Sequence, residues 1–588
     1  MRRRLDSRLK AASTRQKRGG RLQPALALIA CCALTLEAQS PSFTVVEASI
    51  AGMQQAMADG RVTSRELVQQ SLVRMAFYED RLNAIITVNR RALEEADARD
   101  RERAAGRIRG PLHGIPVAVK DNIHTADMPT TGGALAFASL VPPYDATVTT
   151  RLREAGAIII AKTQMTELAN WVTVGMPTNY NSLTGYGFNP YDPRRDPRPA
   201  TADGRPVLAT GGSSSGVGTA VSFWAASVGT ETSGSILNPS NQNMLAGIKP
   251  TVGRVSRYGI IPITADQDTA GPMARSVADA AVLLGVIESP SRDPNDAATG
   301  RCMPPAGGDY TRYLDRGALK GARIGIPRAF FYRAVTAPGS PMMRGGLSAD
   351  QAAVMEEAIA ILRREGATIV DPADIPSVLD ADASRSVLLW PVCSGVESAR
   401  GKDAECSVTY KYGMKRDFNA WLASLGGAAP VKTPVQTPVK TLTDLRAWNR
   451  DHQSAGTLKY GQQNLDVADE MDLQRDRARY EADRRKDLLL NGERGIDAAL
   501  TGHNVDALLF PAATGALIAA RPGYPTVIVP FGMIPNSPTP PLPAAFAANQ
   551  APFGVSFTGS ACSEPRLIAL AYAFEQATRR RVPPPLFP

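Results

Sequence analysis

Thr210-Gly-Gly-Ser-Ser-Ser-Gly-Val-Gly-Thr219 leads through a short apolar segment into Val228-Gly-Thr-Glu-Thr-Ser-Gly-Ser235. The joining segment holds Val221, Phe223, Trp224, Ala225 and Ala226. Glycines admit backbone geometries closed to other residues and let a ligand approach the main chain. Serine hydroxyls can attack a carbonyl or relay a proton. A hydrophobic core requires neither, so two linked loops dense in both residue types point to chemistry.

The remainder of the chain sets bounds on that chemistry. At 588 residues with 44% hydrophobic and 21% charged side chains, the sequence reads as globular and able to bury a sizeable core. The net charge of +10 is not a nucleic-acid signal. Residues 1–40 carry nine basic and two acidic side chains, and the other 548 residues are close to balanced. No basic face interleaved with aromatic residues stands out, and no nucleic-acid partner is expected. The basic start precedes Ala25-Leu-Ala-Leu-Ile-Ala-Cys-Cys-Ala-Leu-Thr-Leu36 and the small-residue site Ala38-Gln39-Ser40. This pattern reads as an export signal over 1–40, with 41–588 as the functional domain in the periplasm or outside the cell. The apolar run is too short to span a bilayer comfortably. Leu28-Ile29-Ala30-Cys31 also resembles a lipoprotein cleavage site, which would leave a lipid anchor at Cys31. Cys302, Cys393, Cys406 and Cys562 show no Cys-x-x-Cys spacing, and the four histidines do not cluster, so neither a metal nor a cofactor is expected. In an exported protein Cys393 could pair with Cys406 across a short loop; four unpaired buried thiols are the other reading.

Taken in order, Val45 to Arg107 reads as two or three covering helices. Ile115 to Val119 is a short apolar strand that delivers Lys120 at its end, and Ala157 to Lys162 is a second. A helix is expected from Thr163, a long loop over Asn189 to Pro206, and strand and turn material from Ala246 to Thr264. Asp266 to Pro272 reads as a polar loop. Ala322 to Pro327, Ala507 to Pro511 and Pro525 to Pro530 read as strands, Ile534 to Ala545 as a Pro-rich excursion, and Glu564 to Arg579 as a closing helix. Alternating strands and helices of this kind argue for an α/β core.

Gly212-Ser-Ser-Ser-Gly216 satisfies the Gly-x-Ser-x-Gly pattern with Ser214 as nucleophile. That mechanism needs a late histidine base, and only His503 is late, without an evident acidic partner. No Lys-Ser/Thr follows the glycines, which speaks against a phosphate-binding loop. A serine hydrolase without histidine needs another base. A lysine serves if burial pulls its pKa well below roughly 10.4, and Lys120 ends a buried strand.

The Lys120 strand, the Gly211 to Gly216 loop and the Gly229 to Ser235 loop together resemble the amidase signature family. So do Gly247-Ile-Lys-Pro-Thr251, Asp268-Thr-Ala-Gly-Pro-Met273 and Gly523-Tyr-Pro-Thr-Val-Ile-Val-Pro530, in the same order from about Val45 to Pro585. The resemblance implies a single large α/β domain with a central mixed sheet covered by helices on both sides. Its signature core would occupy about 110–285, with helical insertions over about 286–500. It implies a Ser-cisSer-Lys triad in which Ser235 is the nucleophile, Ser213 bridges across a cis bond after Gly212, and Lys120 is the base. The N–H groups of Thr232, Ser233, Gly234 and Ser235 would form the oxyanion hole. Ser214, Glu231 and Asp268 would support the loops. The activity implied is hydrolysis of a small or peptidic carboxamide to acid and ammonia through an acyl-enzyme.

Two departures from the family pattern bear on the pocket. The Ser213–Ser235 spacing is slightly short, so the joining segment must be rebuilt in a loop. Leu237 stands where many members carry arginine. Trp171, Met176, Tyr180, Tyr186 and Phe553 are candidates for the acyl pocket, with ordinary core packing as the other reading. The insertions after Asp192 and around Pro538 are candidates for its border. Two further readings of the whole chain are the amidase component of an aminoacyl-tRNA amidotransferase and a non-catalytic binding protein on the same fold. Oligomeric state is not legible.

Overall fold

The computed structural model describes residues 43–588 apart from 213, 397–402 and 427–438. The export segment, the lipid-anchor candidate Cys31 and the bridging candidate Ser213 therefore lie outside the described residues.

In chain order the strands begin with the half-exposed β1 (Ile85–Val88) and the fully buried β2 (Pro116–Lys120) and β3 (Ile158–Thr163). A small hairpin, β4 (Tyr180–Asn181) with β5 (Gly185–Tyr186), precedes β6 (Ala226–Glu231), β7 (Ala246–Lys249) and β8 (Thr269–Ala274). Then come β9 (Arg323–Gly325), a second hairpin of β10 (Val335–Thr336) and β11 (Met343–Arg344), and β12 (Thr368–Val370). The set ends with β13 (Ala507–Pro511), β14 (Thr526–Ile534) and β15 (Ala551–Thr558). Outside the hairpins they make one eleven-stranded mixed sheet in the order β1-β3-β2-β6-β8-β7-β14-β15-β13-β9-β12.

Alternation along the central strands divides the core into two faces. Val117, Val119, Ile159 and Val228 pack into the larger cluster with the helices Val277–Ile287 and Glu564–Thr578. Ala118, Ile158 and Ile160 point the other way, onto the helix Ser64–Leu82 and onto Phe223 and Trp224. A strand buried on both faces needs no polar alternation, which is why β2 and β3 read as continuous apolar runs. Phe43–Pro588 forms one compact unit.

Several expectations need correction. Asp266 to Pro272 is not a loop throughout, because Thr269–Ala274 is a central strand paired with both β6 and β7. Its small residues lack a β-branched signature, and pairing on both edges overrides that weak propensity. The second glycine-serine stretch is likewise half strand, since β6 runs to Glu231. No helix starts at Thr163. Leu168, Ala169 and Asn170 instead take left-handed φ values of 42°, 55° and 74°. The Thr166 and Leu168 N–H groups donate to Gly212 O and Gly132 O, so tertiary bonds claim donors a helix would use. Ile85–Val88, inside the stretch read as covering helices, is the antiparallel edge strand of the sheet. Gly259 to Thr264 contributes only a single bridge, Ile123 to Ile260. Ala551–Thr558 escaped notice as a strand because Pro552 and Gly554 give it turn-like composition, yet β13 and β14 pair with it on both sides. The joining segment is short, as the spacing requires: the helix Ser214–Ala220 ends in an irregular stretch with Ser222 at φ 57° before β6 begins.

Cys302, Cys393, Cys406 and Cys562 are not free thiols. Cys393 pairs with Cys406, and Cys302 pairs with Cys562 across 260 positions, a bond that sequence spacing did not suggest. Peptide mapping without reduction should recover both cross-linked pairs. Replacing Cys302 and Cys562 together by alanine should lower unfolding stability by about 2–4 kcal/mol in a denaturant titration.

Candidate active site

β2 and β6 are parallel neighbours with Val119 opposite Val228, so their C-terminal ends open at the same edge of the sheet. Lys120 closes β2 and is fully buried. Its Nζ donates to Thr230 O at 3.1 Å and Thr230 Oγ1 at 3.0 Å. Asn122 Nδ2 also donates to Thr230 Oγ1, at 3.0 Å. Among the described residues no carboxylate makes an ion pair with Lys120. Burial lowers its pKa to about 8, against the raising influence of Asp268 and Glu231.

Beyond Thr230 the chain turns sharply through Ser235, and Glu231 holds the turn. Its Oε2 accepts from Ile236 N at 2.7 Å and Leu237 N at 3.0 Å. Gly234 sits at φ 93°, and a Cβ there would meet Asn238 Nδ2 at 2.5 Å, so the position requires glycine. Among the described residues, the N–H groups of Thr232, Ser233, Gly234 and Ser235 donate to no protein acceptor. Four consecutive unpaired amides in a partly buried turn are unusual, because buried donors are nearly always satisfied. Thr232 Oγ1 donates to Asp268 Oδ1 at 2.5 Å, and Asp268 Oδ2 accepts from Ile263 N and Thr264 N at 2.9 Å each. Burial pushes the Asp268 carboxyl up to about 7, and these donors pull the other way.

The first serine loop is docked onto the residues after Ser235. Gly211 lies at φ 86°, and a Cβ there would stand 2.4 Å from Pro239 N. Asn243 Nδ2 ties the two segments together, donating to Thr210 O at 3.1 Å and Pro239 O at 2.8 Å. Gly212 O accepts from Thr166 N at 3.2 Å and Thr166 Oγ1 at 3.3 Å. Ser213 and its bond to Gly212 lie outside the described residues, as does the side chain of Ser214.

Thr166, Thr230, Asn122 and Tyr410 were not singled out in the sequence. Thr166 and Asn122 are polar residues just beyond buried strands, and Thr230 lies one residue before the Glu231 carboxylate. Those placements are the signals that could have found them. Tyr410 gives no such signal. It comes from the helix Thr409–Ser424, and its hydroxyl donates to Thr232 O at 3.5 Å and accepts from Gln267 Nε2 at 3.2 Å.

A depressed lysine pKa does not by itself mark the site. Burial also lowers Lys162 and Lys249 to about 8. Lys162 faces Asp121 at 3.6 Å, and Lys249 donates to Tyr524 O at 2.6 Å. What distinguishes Lys120 is its bond to Thr230, the residue before the Glu231 carboxylate that holds the Ser235 turn. The histidines are engaged elsewhere: His113 with Arg99 O, His124 with Trp421 Nε1 and His452 with Trp448 O. His503 precedes β13, where its carbonyl accepts from Arg323 Nη2.

A cleft of about 670 Å³ approaches the turn through Asn238, whose side chain rests against Gly234; neither Lys120 nor Ser235 lines it. Asn238 and Phe553 line it, together with residues of both insertions, Arg198 to Ala209 on one wall and Ile534 to Pro538 on the other. Trp171, Met176, Tyr180 and Tyr186 do not line this cleft. They lie in a separate buried cluster, Trp171 against Tyr410 at 4.9 Å and Tyr180 between Tyr186 and Tyr460.

A family model described as Amidase matches residues 66–568. A probable amidase of Arabidopsis thaliana is 32% identical over 555 residues, covering 93% of this chain and 93% of its own. A glutamyl-tRNA(Gln) amidotransferase component of Chloroflexus aurantiacus is 39% identical over 326 residues, which is 55% of this chain and 60% of its own. The solved structure of the native peptide amidase from Stenotrophomonas maltophilia is 36% identical, with a TM-score of 0.73, over 92% of this chain and 98% of its own.

Replacing Glu231 by alanine strands the Ile236 and Leu237 amides in a buried setting. Urea denaturation should show a loss of about 2–6 kcal/mol, since each of the two unsatisfied buried donors costs about 1–3 kcal/mol.

Proposed function

The chain belongs to the Amidase family and is a hydrolase of amide C–N bonds; from its site we propose that Ser235 attacks a small or peptidic carboxamide, with Lys120 as the base. The observation that carries this reading is the run of four unpaired amides ending at Ser235, beside a buried amine without a carboxylate partner.

The uncharged Lys120 amine draws a proton from Ser235 through Ser213, and Ser235 Oγ bonds to the carbonyl carbon. The carbonyl oxygen becomes an oxyanion facing the amides of Thr232, Ser233, Gly234 and Ser235, each such donor contributing about 3 kcal/mol in the transition state. The C–N bond then breaks as Lys120 returns its proton to the nitrogen, and ammonia leaves an ester on Ser235. Water attacks that ester by the same proton route and releases the acid. Glu231 and Asp268 act by holding the turn rather than by touching the substrate. Gly212 and Ser214 belong to the loop that presents Ser213.

The match to the amidotransferase component is confined to about half the chain, whereas the amidase relatives run its length. The presence of all three triad residue types, Lys120, Ser213 and Ser235, speaks for turnover rather than for a binding protein. Export from the cytosol, with residues 1–40 as a removed leader, is supported by the basic and then apolar start and by two disulfides, which persist in oxidising compartments. Among the described residues no helix is long and apolar enough to cross a membrane.

Ser235→Ala and Lys120→Ala should each lower kcat by roughly 10³-fold or more with the fold intact, as removal of a triad member does elsewhere. Labelling of Ser235→Ala by a fluorophosphonate at the wild-type rate would sink the assignment. Because the base acts uncharged, kcat/KM should fall as the pH drops through about 8, where the amine takes up its proton. Fractionation should recover the mature chain outside the cytosol, beginning after the leader. Full-length chain in the cytosol would overturn the export reading.

A further inference from the structure

The helix Leu237–Gln242 follows the Ser235 turn directly and carries three carboxamide side chains. They are not equivalent. Asn241 is buried, and its Oδ1 accepts from Gly554 N at 2.7 Å, so it serves the sheet. Asn238 is exposed, and its Nδ2 rests against Gly234, the residue before Ser235. Gln242 comes four positions later on the same helical face, with its Oε1 buried and unpaired. Among the described residues neither the Asn238 nor the Gln242 side chain has a hydrogen-bond partner, and both line the 670 Å³ cleft. Both carboxamides are therefore free to bond to a ligand in the cleft.

The cleft walls narrow what that partner is. The two insertions are fastened to each other by Arg198 Nη1 on Pro540 O at 2.6 Å, Arg194 Nη2 on Ala547 O at 2.8 Å and Asn536 Nδ2 on Val207 O at 3.2 Å. The arginines at the wall are already paired, Arg198 with Asp196 at 2.6 Å and Arg205 with Asp203 at 2.5 Å. Among the described residues Asp350 is the one lining carboxylate without an ion-pair partner, and the wall offers no free cation to an anionic ligand. A carboxamide offers a donor and an acceptor together, the complement of a peptide group. Residues four apart on a helix are separated by about 6 Å along its axis, and alternate residues of an extended chain by about 6.6 Å.

We propose that Asn238 and Gln242 bind alternate backbone amides of an extended peptide lying on the acyl side of the scissile carboxamide, between the two fastened insertions. This rests on the reading that Ser235 is the nucleophile, and it assigns the cleft to a peptide chain rather than to a small amide alone.

Calorimetry of an N-acetylated tripeptide amide binding to the Ser235→Ala protein tests it. Adding Asn238→Ala or Gln242→Ala should weaken binding about tenfold each, the equivalent of losing about 1.4 kcal/mol. The loss should shrink as the ligand is shortened to an N-acetylated single-residue amide. Unchanged tripeptide affinity in both variants, or no binding of the tripeptide amide to Ser235→Ala, would overturn the assignment. Ammonia released by the Ser235→Ala protein in the same cell would instead remove the nucleophile reading beneath it.

Discussion

A lysine amine buried without a carboxylate partner is the constraint to which the rest of this site answers. An ammonium at Lys120 would be fully buried, with the Thr230 carbonyl and hydroxyl its hydrogen-bond partners among the described residues. The drop from 10.5 to about 8 expresses a weakening of the ammonium, relative to a solvated lysine, by roughly 3 kcal/mol, so that the neutral amine is available from about pH 8 upward. A neutral amine is what a base needs, so the burial that destabilises the charged form is also what suits Lys120 to chemistry. The carboxylates that bias it, Asp268 and Glu231, act at a distance, each occupied with backbone amides and, for Asp268, the Thr232 hydroxyl. Direct pairing would have stabilised the ammonium instead, as Asp121 does toward Lys162.

The same two carboxylates shape the turn. Glu231 satisfies the first amides of the short helix after Ser235, and Asp268 holds Thr232 from the other side. With both ends gripped, the amides between them stay pointed away from protein acceptors. An oxyanion hole made this way is built from backbone, fixed before substrate arrives and unaffected by side-chain rotation. The docking of Gly211 against Pro239, and of Thr166 against Gly212, sets the two glycines that open the first serine loop against the residues just after Ser235 and against Thr166.

Much of this was legible in order along the chain. Lys120 at the end of an apolar run, the paired glycine-serine loops and the scarcity of histidine pointed to one chemistry before any coordinates. Local composition misled where tertiary pairing decided the outcome. Thr269–Ala274 and Ala551–Thr558 look like turns yet are strands, because neighbours on both edges claim their backbone groups. Thr163 to Leu168 looked like a helix start, yet the chain turns left-handed at Leu168 to Asn170, because Gly212 and Gly132 take the Thr166 and Leu168 donors. Of the aromatic residues proposed for the pocket, only Phe553 lines the cleft.

The sequence by itself determined the residue types, the family and the strand that carries the base, since these depend on neighbours close along the chain. Tertiary structure alone decided that Cys302 meets Cys562, that Tyr410 reaches Thr232, and that two insertions more than 300 positions apart wall one cleft. Contacts of that kind are set by how eleven strands order themselves in one sheet, and no local pattern encodes a partner so far away.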